Sequence, residues 1–467
     1  MESDRVGELA VETTAIPGLL VVHLPVHGDA RGWLKENWQR AKMTALGLPD
    51  FGPVQQTISF NAAVGVTRGF HAEPWDKFVS VASGKVHGAW VDLRAGDTFG
   101  MSVHFDITPD VAVFLPRGVA NAFQTLEPDT VYSYLVNDHW SPEAIKSYTY
   151  LNLADESVAI PWPIPLDESE LSDADRHHPR LADVIPVPAP ETWILGGNGQ
   201  VGRALATVFP DAKVFSRPEV DLADPQSLHD LNWRACGTVI NAAAYTAVDA
   251  AETPDGRREC WAVNVTGVRH LTELCRKHRV KLVHISSDYV FDGTADEHDE
   301  DEAPSPLGFY GATKAAADEI VASLPNHLIV RTSWVVGDGK NFVATMAGLA
   351  DRGVSPSVVN DQIGRLTFAD DLAQAIRHLL VADAKGIVNV TSAGEPCSWF
   401  DIAQQIFTLR GRSADDVSAV STADYSAGKP MSPRPVNSTL TLDKLRDLGC
   451  TPRDSRTALT DYLTRLK

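Results

Sequence analysis

Apolar and polar residues follow two different rhythms along this chain. From Val11 to about Tyr150 the apolar runs are short, at Leu19–Leu24, Lys77–Val81, Val86–Val91, Val111–Leu115 and Thr130–Val136, with Gly, Pro, Asn and Asp between them. Several are rich in Val, Phe and Tyr and alternate with polar residues. That pattern predicts closely spaced antiparallel strands, hence a sandwich or barrel. Only Gln39–Leu46 reads as helix in this part. The rhythm changes after the proline-rich stretch His178–Pro190, which reads as an extended, semi-rigid linker. Beyond it short apolar strands at Thr192–Leu195, Thr238–Asn241 and Leu282–Ser286 alternate with longer helical patterns, such as Glu259–His278. Strand–helix alternation predicts a parallel, doubly wound sheet. The division expected is therefore a domain over residues 1–185 and a second over 191–467.

Length and charge narrow the classes. The 467 residues suit two or three domains. A net charge of -20 argues against nucleic acid as partner. Cys236, Cys260, Cys275, Cys397 and Cys450 form no close pair, which points to reduced thiols in a cytoplasmic protein. Glu2, Asp4, Arg5 and Glu8 break any leader pattern, and no apolar stretch reaches membrane-spanning length. The acidic run Asp296–Glu302 reads as a solvated loop, with a divalent ion such as Mg2+ as the sharper alternative.

The second part carries a recognisable chemistry. Gly196-Gly-Asn-Gly-Gln-Val-Gly202 follows a strand and opens a helix. Glycines there let the backbone approach a pyrophosphate, and the helix N-terminus offers free N–H groups. Gly196, Asn198, Gly199, Gln200, Val201 and Gly202 are the candidate dinucleotide contacts. Ser216 and Arg217 follow the next strand and could accept a ribose phosphate; Asp221 comes after them. This leans toward NADPH and leaves NADH open, as it leaves Arg217 open as a plain surface residue. Tyr310 and Lys314 share a helix face at four-residue spacing. An ammonium beside a phenol favours the phenolate, so the Tyr can shuttle a proton. Ser287, at a strand end, could polarise a carbonyl.

These motifs, with Asn241-Ala-Ala-Ala-Tyr-Thr-Ala-Val-Asp249, Ser287-Asp-Tyr-Val-Phe291, Arg331-Thr-Ser-Trp-Val335 and Asn360-Asp-Gln362, resemble the dTDP-4-dehydrorhamnose reductases over nearly all of residues 191–467. The resemblance implies a Rossmann fold of the extended short-chain dehydrogenase type. It implies Tyr310 as acid, Lys314 as its tuner and a ribose ligand, and Ser287 as polariser where the family often has Thr. Ala242 and Ala243 would border the cofactor. Asp288, Trp334 and Arg434 would sit by the sugar, with a core aromatic as the competing reading of Trp334 and a loop arginine without role as that of Arg434.

In the first part, His23, His27, His71, His87 and His104 show no close pair with a matching Glu, which argues against a metal there. Asp29-Ala-Arg-Gly-Trp-Leu-Lys-Glu36, Val66-Thr-Arg-Gly-Phe-His71 and Ser133-Tyr-Leu135 stand out, together with Val91-Asp-Leu-Arg94, Pro116-Arg-Gly-Val-Ala-Asn-Ala-Phe123 and Leu171-Ser-Asp-Ala-Asp175. Together they resemble the dTDP-4-dehydrorhamnose 3,5-epimerases from about Thr14 to Arg180. That implies an all-β, cupin-like jelly roll. By the resemblance His71 is a base oriented by Asp175, Tyr134 an acid and Lys77 a stabiliser of the enolate oxygen. Arg31, Glu36, Gln55 and Arg68 would hold the nucleotide diphosphate. The chain departs from the family at Asn121, where His is usual, at Glu73 (Gln) and at Thr57 (Asn). Asn121 can donate a hydrogen bond but cannot take a proton. The two resemblances imply consecutive steps on one dTDP-sugar, in a homodimer. A non-catalytic N-terminal binding or dimerisation module is the alternative.

Overall fold

In the computed structural model, which describes residues 7–466, the chain divides into two compact units, Met1–Ala189 and Pro190–Lys467. The charges at Glu2, Asp4 and Arg5 lie outside the described residues.

The first unit is a cupin-like jelly roll of two antiparallel sheets. One runs, in spatial order, Ala10–Thr13, Leu20–His23, Val111–Leu115, Lys77–Ser83, Thr130–Val136 and Gln55–Asn61. The other runs Thr149–Tyr150, Thr67–Ala72, Val119–Thr125, Val86–Asp92 and Ser102–Ile107. Alternation along these strands sends Val79, Val81, Trp90, Phe123 and Tyr132 into one shared core. The Val86–Asp92 strand is buried at every position. Its other face, Ala89 and Val91, is covered by Leu151, Leu153 and Trp162, so it reads as a continuous apolar run. The expected helix forms over Arg40–Ala45, with the Gln39 side chain accepting from the Lys42 amide at 2.7 Å. It places Met43 on the outer face of the first sheet, against Leu20, Phe78 and Phe114.

The second unit is a Rossmann fold. Six parallel strands lie in the order Lys213–Phe215, Glu191–Leu195, Cys236–Asn241, Lys281–Ser287, His327–Thr332 and Gly386–Asn389. Period-two alternation feeds two cores. Trp193 and Leu195 face one, with Leu271 and Ala317; Ile194 faces the other, with Leu205, Leu372 and Ile376. The chain steps to one side of Glu191–Leu195 and then returns to the other. A crevice therefore opens at the carboxyl ends of Glu191–Leu195 and Cys236–Asn241, where doubly wound folds bind ligands.

Three expectations are corrected. The helical stretch Glu259–His278 starts earlier, at Pro254, and carries a π-turn over Ala262–Gly267 before continuing as Val268–His278. The proline-rich stretch is not a free linker up to its end. Val187 bridges to Arg94, its amide donates to Leu93 O at 2.7 Å, and Val184 is buried, so residues up to Val187 belong to the first unit. Proline supplies extended backbone here, and that backbone is used for pairing.

The acidic run is not simply a solvated loop. Glu297, Asp299 and Asp301 are exposed, but His298 and Glu300 are buried. Glu302 accepts from His298 Nδ1 at 2.8 Å, and Glu300 accepts from the Asn389 amide at 2.9 Å. Glu300 thus ties the loop to the end of the Gly386–Asn389 strand and Glu302 holds His298 within the loop, which leaves the Mg2+ reading without a ligand set among the described residues. Among the described residues, the group of three side chains close enough to share an ion lies in the other unit, at His71, Asp175 and His178. Among the described residues no helix is long and apolar enough to cross a membrane.

Candidate functional sites

In the first unit the Thr67–Ala72 strand presents His71, and Asn121 is its cross-strand partner on Val119–Thr125. The pairing is irregular between Asn121 and Phe123, where Gly69 passes so close that a Cβ would lie 2.6 Å from Asn121 O. Asp175 arrives on a short helix, Asp173–Arg176, capped by Ser172, whose hydroxyl accepts from the Asp175 amide at 3.1 Å. The Asp175 carboxylate is 3.0 Å from His71 Nε2 and 3.2 Å from His178 Nε2, both to the same oxygen. Burial pushes this carboxyl up, but the hydrogen bond and charge of His71, with Ser172 and His178, outweigh it and hold Asp175 below its ordinary value. A carboxylate only accepts, so both Nε2 atoms donate and His71 Nδ1 keeps the free, basic lone pair.

Around this dyad stands a partly buried polar group. Lys77 and Glu73 pair at 2.6 Å, and Lys77 Nζ lies 4.9 Å from the centre of the Tyr134 ring. Burial, then the Glu73 charge, raises the Tyr134 phenol, so it carries its proton at neutral pH. Asn121 Oδ1 accepts from the Tyr132 hydroxyl at 3.1 Å. Sequence reading missed His178, which stacks on Tyr150 at 4.6 Å. Its only trace was the three-residue offset from Asp175, one helical turn on.

The phosphate candidates are less gathered. Arg31 pairs with Asp29, and Glu36 with Lys42 at 2.6 Å, in and beside the exposed hairpin Val26–Asp29/Gly32–Lys35. Arg68 donates to Asn61 Oδ1 at 3.1 Å, and Gln55 accepts from the Trp140 amide at 3.0 Å.

In the second unit the glycine turn is built at the crevice. Gly196 has φ +83°, and a Cβ on it would lie 2.7 Å from the Ala243 amide. A Cβ on Gly202 would lie 2.1 Å from Gly196 O. Gly199 caps the Gln200–Val208 helix with no side chain over its N-terminus. Close packing of these glycines shapes the turn, and the helix amides, without a side-chain cap, fit a dinucleotide diphosphate. Gln200 is turned to another task, accepting from the Gly337 amide at 2.8 Å. A Cβ on Gly197 would lie 3.0 Å from Ser216 Oγ, so Ser216 borders the turn, whereas Arg217 is exposed. Asp221 accepts from the Ala223 amide at 3.0 Å.

Tyr310 lies near the start of the Phe309–Ala322 helix, buried with Tyr289, Tyr245 and Cys260. Burial, then the Asp288 carboxyl, raises its phenol; a hydrogen bond with Ser287 opposes them. Ser287 donates to Asp288 Oδ1 at 3.0 Å. Asp288 is itself pushed up to about 6 by burial, against hydrogen bonds from Ser438 and Ser287. Lys314 is pushed down to about 8 by burial, against the charges of Asp318 and Cys260. Its Nζ donates to Ile285 O at 2.7 Å.

The π-turn presents Asn264, which exchanges hydrogen bonds with both backbone groups of Tyr245, at 2.8 and 3.1 Å. That pins the Ala242–Asp249 loop. Asp249 in turn accepts from Arg434 at 2.8 Å, and Arg434 reaches Tyr289. Arg434 is thus tied to the Tyr310 surroundings. Trp334, at φ +47°, is half-buried and stacked on Trp399 at 3.7 Å.

Comparison with known proteins follows this division. The family model described as RmlD substrate binding domain matches residues 191–467, more than half of the chain. The chain belongs to this family. The model for dTDP-4-dehydrorhamnose 3,5-epimerase matches residues 13–183, so this RmlD-family chain is a fusion of the two. A dTDP-4-dehydrorhamnose reductase from Aggregatibacter actinomycetemcomitans is 37% identical over 290 residues, covering 57% of this chain and 96% of that protein. The Protein RmlC homolog of Streptococcus pyogenes serotype M6 is 49% identical over 181 residues, covering 38% of this chain and 91% of that one. The crystal structure of a dTDP-4-dehydrorhamnose reductase from Bacillus anthracis in complex with NADP superposes with TM-score 0.55 at 31% identity, covering 59% of this chain and 99% of that chain.

Proposed function

We propose that this chain performs two consecutive steps in making dTDP-L-rhamnose. The first unit inverts C3 and C5 of dTDP-4-dehydro-6-deoxy-D-glucose. The second reduces the C4 ketone with NAD(P)H. The observation that carries the reading is the pairing, in one chain, of a His71–Asp175 base with a buried Tyr310, Ser287 and Lys314 centre beside a glycine cradle.

For epimerisation, His71 Nδ1 takes the proton beside the ketone, and Asp175 stabilises the imidazolium that results. Lys77 stabilises the enolate oxygen. Tyr134, kept protonated by burial, returns a proton to carbon from the other face. No cofactor enters this step. For reduction, the reduced nicotinamide, when bound in the cradle of Gly196, Gly199 and Gly202, supplies hydride. Ser287, turning its hydroxyl from Asp288, donates a hydrogen bond to the C4 oxygen, and Tyr310 gives it a proton. Ser216 at the turn favours NADPH. A homodimer, a cytoplasmic setting and transfer of the intermediate between the two sites of one chain complete the reading; a free competing reductase that captures the intermediate in proportion to its activity would refute the last.

The test supplies purified chain with dTDP-4-dehydro-6-deoxyglucose in deuterated buffer, with and without NADPH. Without NADPH, deuterium enters C3 and C5; with it, NADPH is consumed stoichiometrically and NMR identifies dTDP-L-rhamnose. His71→Ala abolishes the exchange, and Tyr310→Phe keeps the exchange while losing reduction. NADPH-dependent turnover without any exchange would instead establish the non-catalytic N-terminal module.

A further inference from the structure

Lys314 does not stand alone in the second unit. Its Nζ lies 3.2 Å from Nε2 of His284, a residue on the Lys281–Ser287 strand that the reduction just described does not use. On the other side of the ring, Nδ1 lies 3.1 Å from Asn241 Nδ2. Asn241 is the register partner of His284 on the neighbouring strand, and its Oδ1 accepts from the Ala243 amide at 3.2 Å. All three side chains are buried, His284 and Asn241 at 1% exposure and Lys314 at 2%.

The far end of this chain fixes its direction. A backbone N–H only donates, so the Asn241 oxygen must face Ala243 and its NH2 must face the ring. Nδ1 of His284 therefore accepts. An imidazole whose Nδ1 accepts is neutral and carries its hydrogen on Nε2. That hydrogen points at Nζ, and only an amine with a free lone pair can receive it. An ammonium there would set donor against donor in a site without water-like screening.

We infer that His284 is a positioning residue for the reductase site: its Nε2–H donates to Nζ and holds Lys314 as a neutral amine in the cofactor-free chain. This rests on the reading of Tyr310 and Lys314 as the reductase centre. The other groups facing Lys314 are the Ile285 carbonyl, which accepts from Nζ at 2.7 Å whether Nζ is amine or ammonium, and Asp318 and Cys260, which favour its charge; burial brings Nζ to about 8 against them, and the Nε2–H donor takes it lower. Asp318 is already engaged with Arg331 at 3.0 Å, and the Cys260 thiol is raised by burial. Burial drives His284 well below its ordinary value, so the ring does not become an imidazolium. The Lys314 charge is thus conditional: it appears when Nζ turns from the ring toward a new acceptor.

Two measurements on the full chain test this. Long-range proton–nitrogen correlation spectra with 15N-labelled histidine, recorded without cofactor from pH 6 to 9, report the His284 tautomer. The signal is assigned by its loss in His284→Gln or His284→Asn. The expected result is a neutral ring protonated on Nε2 throughout; a ring protonated on Nδ1, or an imidazolium, overturns the inference. The second measurement is the pH profile of reduction. Gln at 284 can offer Nζ an oxygen in place of an N–H, which stabilises the ammonium. The alkaline limb then moves up by at least one pH unit, a tenfold gain in the protonated-to-neutral ratio of Lys314. A limb that stays put overturns the inference. The ring state is read without turnover, so failure of the reductase reading and failure of this inference appear in different measurements.

Discussion

Asp288 offers a quantitative check on the buried electrostatics. Its carboxyl titrates at about 6 in the folded chain, against 3.8 ordinarily, because burial outweighs the hydrogen bonds from Ser438 and Ser287. An acid with a raised folded value binds its proton more tightly in the native state than in the unfolded one. Below pH ~4 both states are protonated and the group is neutral to stability. Between pH ~4 and ~6 the unfolded chain gives up the proton first, so stability falls as pH rises, and above pH ~6 the full loss persists. Two units or so at 1.36 kcal/mol each amount to about 3 kcal/mol. Asn at this position keeps the oxygen that accepts from Ser287 and carries no charge. Asp288→Asn is therefore expected to match the wild type at pH 4 and to be more stable by up to about 3 kcal/mol at pH 8. Hydrogen exchange of peptides from the Lys281–Ser287 strand, corrected for intrinsic rates, reads the opening free energy of this unit alone. A variant no more stable than wild type at pH 8, or one with the same difference at both pH values, would refute the reasoning.

Three further outcomes are expected. Gly202→Ala puts a methyl 2.1 Å from Gly196 O, so the cradle must shift; titration calorimetry should show NADPH binding weakened at least about tenfold, with deuterium exchange by the first unit untouched. Asn121→Leu strands the buried Tyr132 hydroxyl and should cost about 1–3 kcal/mol in exchange protection of the Thr130–Val136 strand, most of it recovered by adding Tyr132→Phe. Arg331→Met removes the ion-pair partner of Asp318, buried at 2% exposure, and leaves it only Ser286 and Lys314, for a loss of about 3–5 kcal/mol in the second unit, whereas replacing both partners by apolar residues should restore much of it.

What the sequence showed was whatever chemistry writes into neighbouring positions. The glycine turn, the Tyr310/Lys314 spacing and the strand–helix alternation are local, and each reappears in the fold. Val111–Leu115 and Thr130–Val136 reappear with their ends unchanged, because turn residues bound them on both sides. What stayed hidden depends on register between strands. His284 meets Asn241 only through parallel pairing of two strands, and His71 meets Asn121 only across an irregular antiparallel one. Asn264 earns its place through one extra residue in a helix, which no periodicity announces. The acidic run was misread because charge predicts exposure only when the partner is water; Glu300 and Glu302 found an amide and an imidazole instead. Arg331, in the Arg331–Val335 motif, is a buried strut paired with Asp318.

In the proposed reduction, the burial of Tyr310 reaches further than the donation of a proton to one ketone. A phenol raised above its ordinary value by burial and by Asp288 is, at neutral pH, almost wholly un-ionised. Ketone reduction consumes a proton at this position, while alcohol oxidation needs the same oxygen empty to receive one. The resting site is therefore loaded for one direction and nearly blank for the other. The equilibrium between ketone and alcohol belongs to the reactants and to the ratio of the two nicotinamide forms, and no side chain alters it. The surroundings of Tyr310 therefore set which protonation state waits for each reactant, while the ratio of forward to reverse rates at a given pH stays with the reactants.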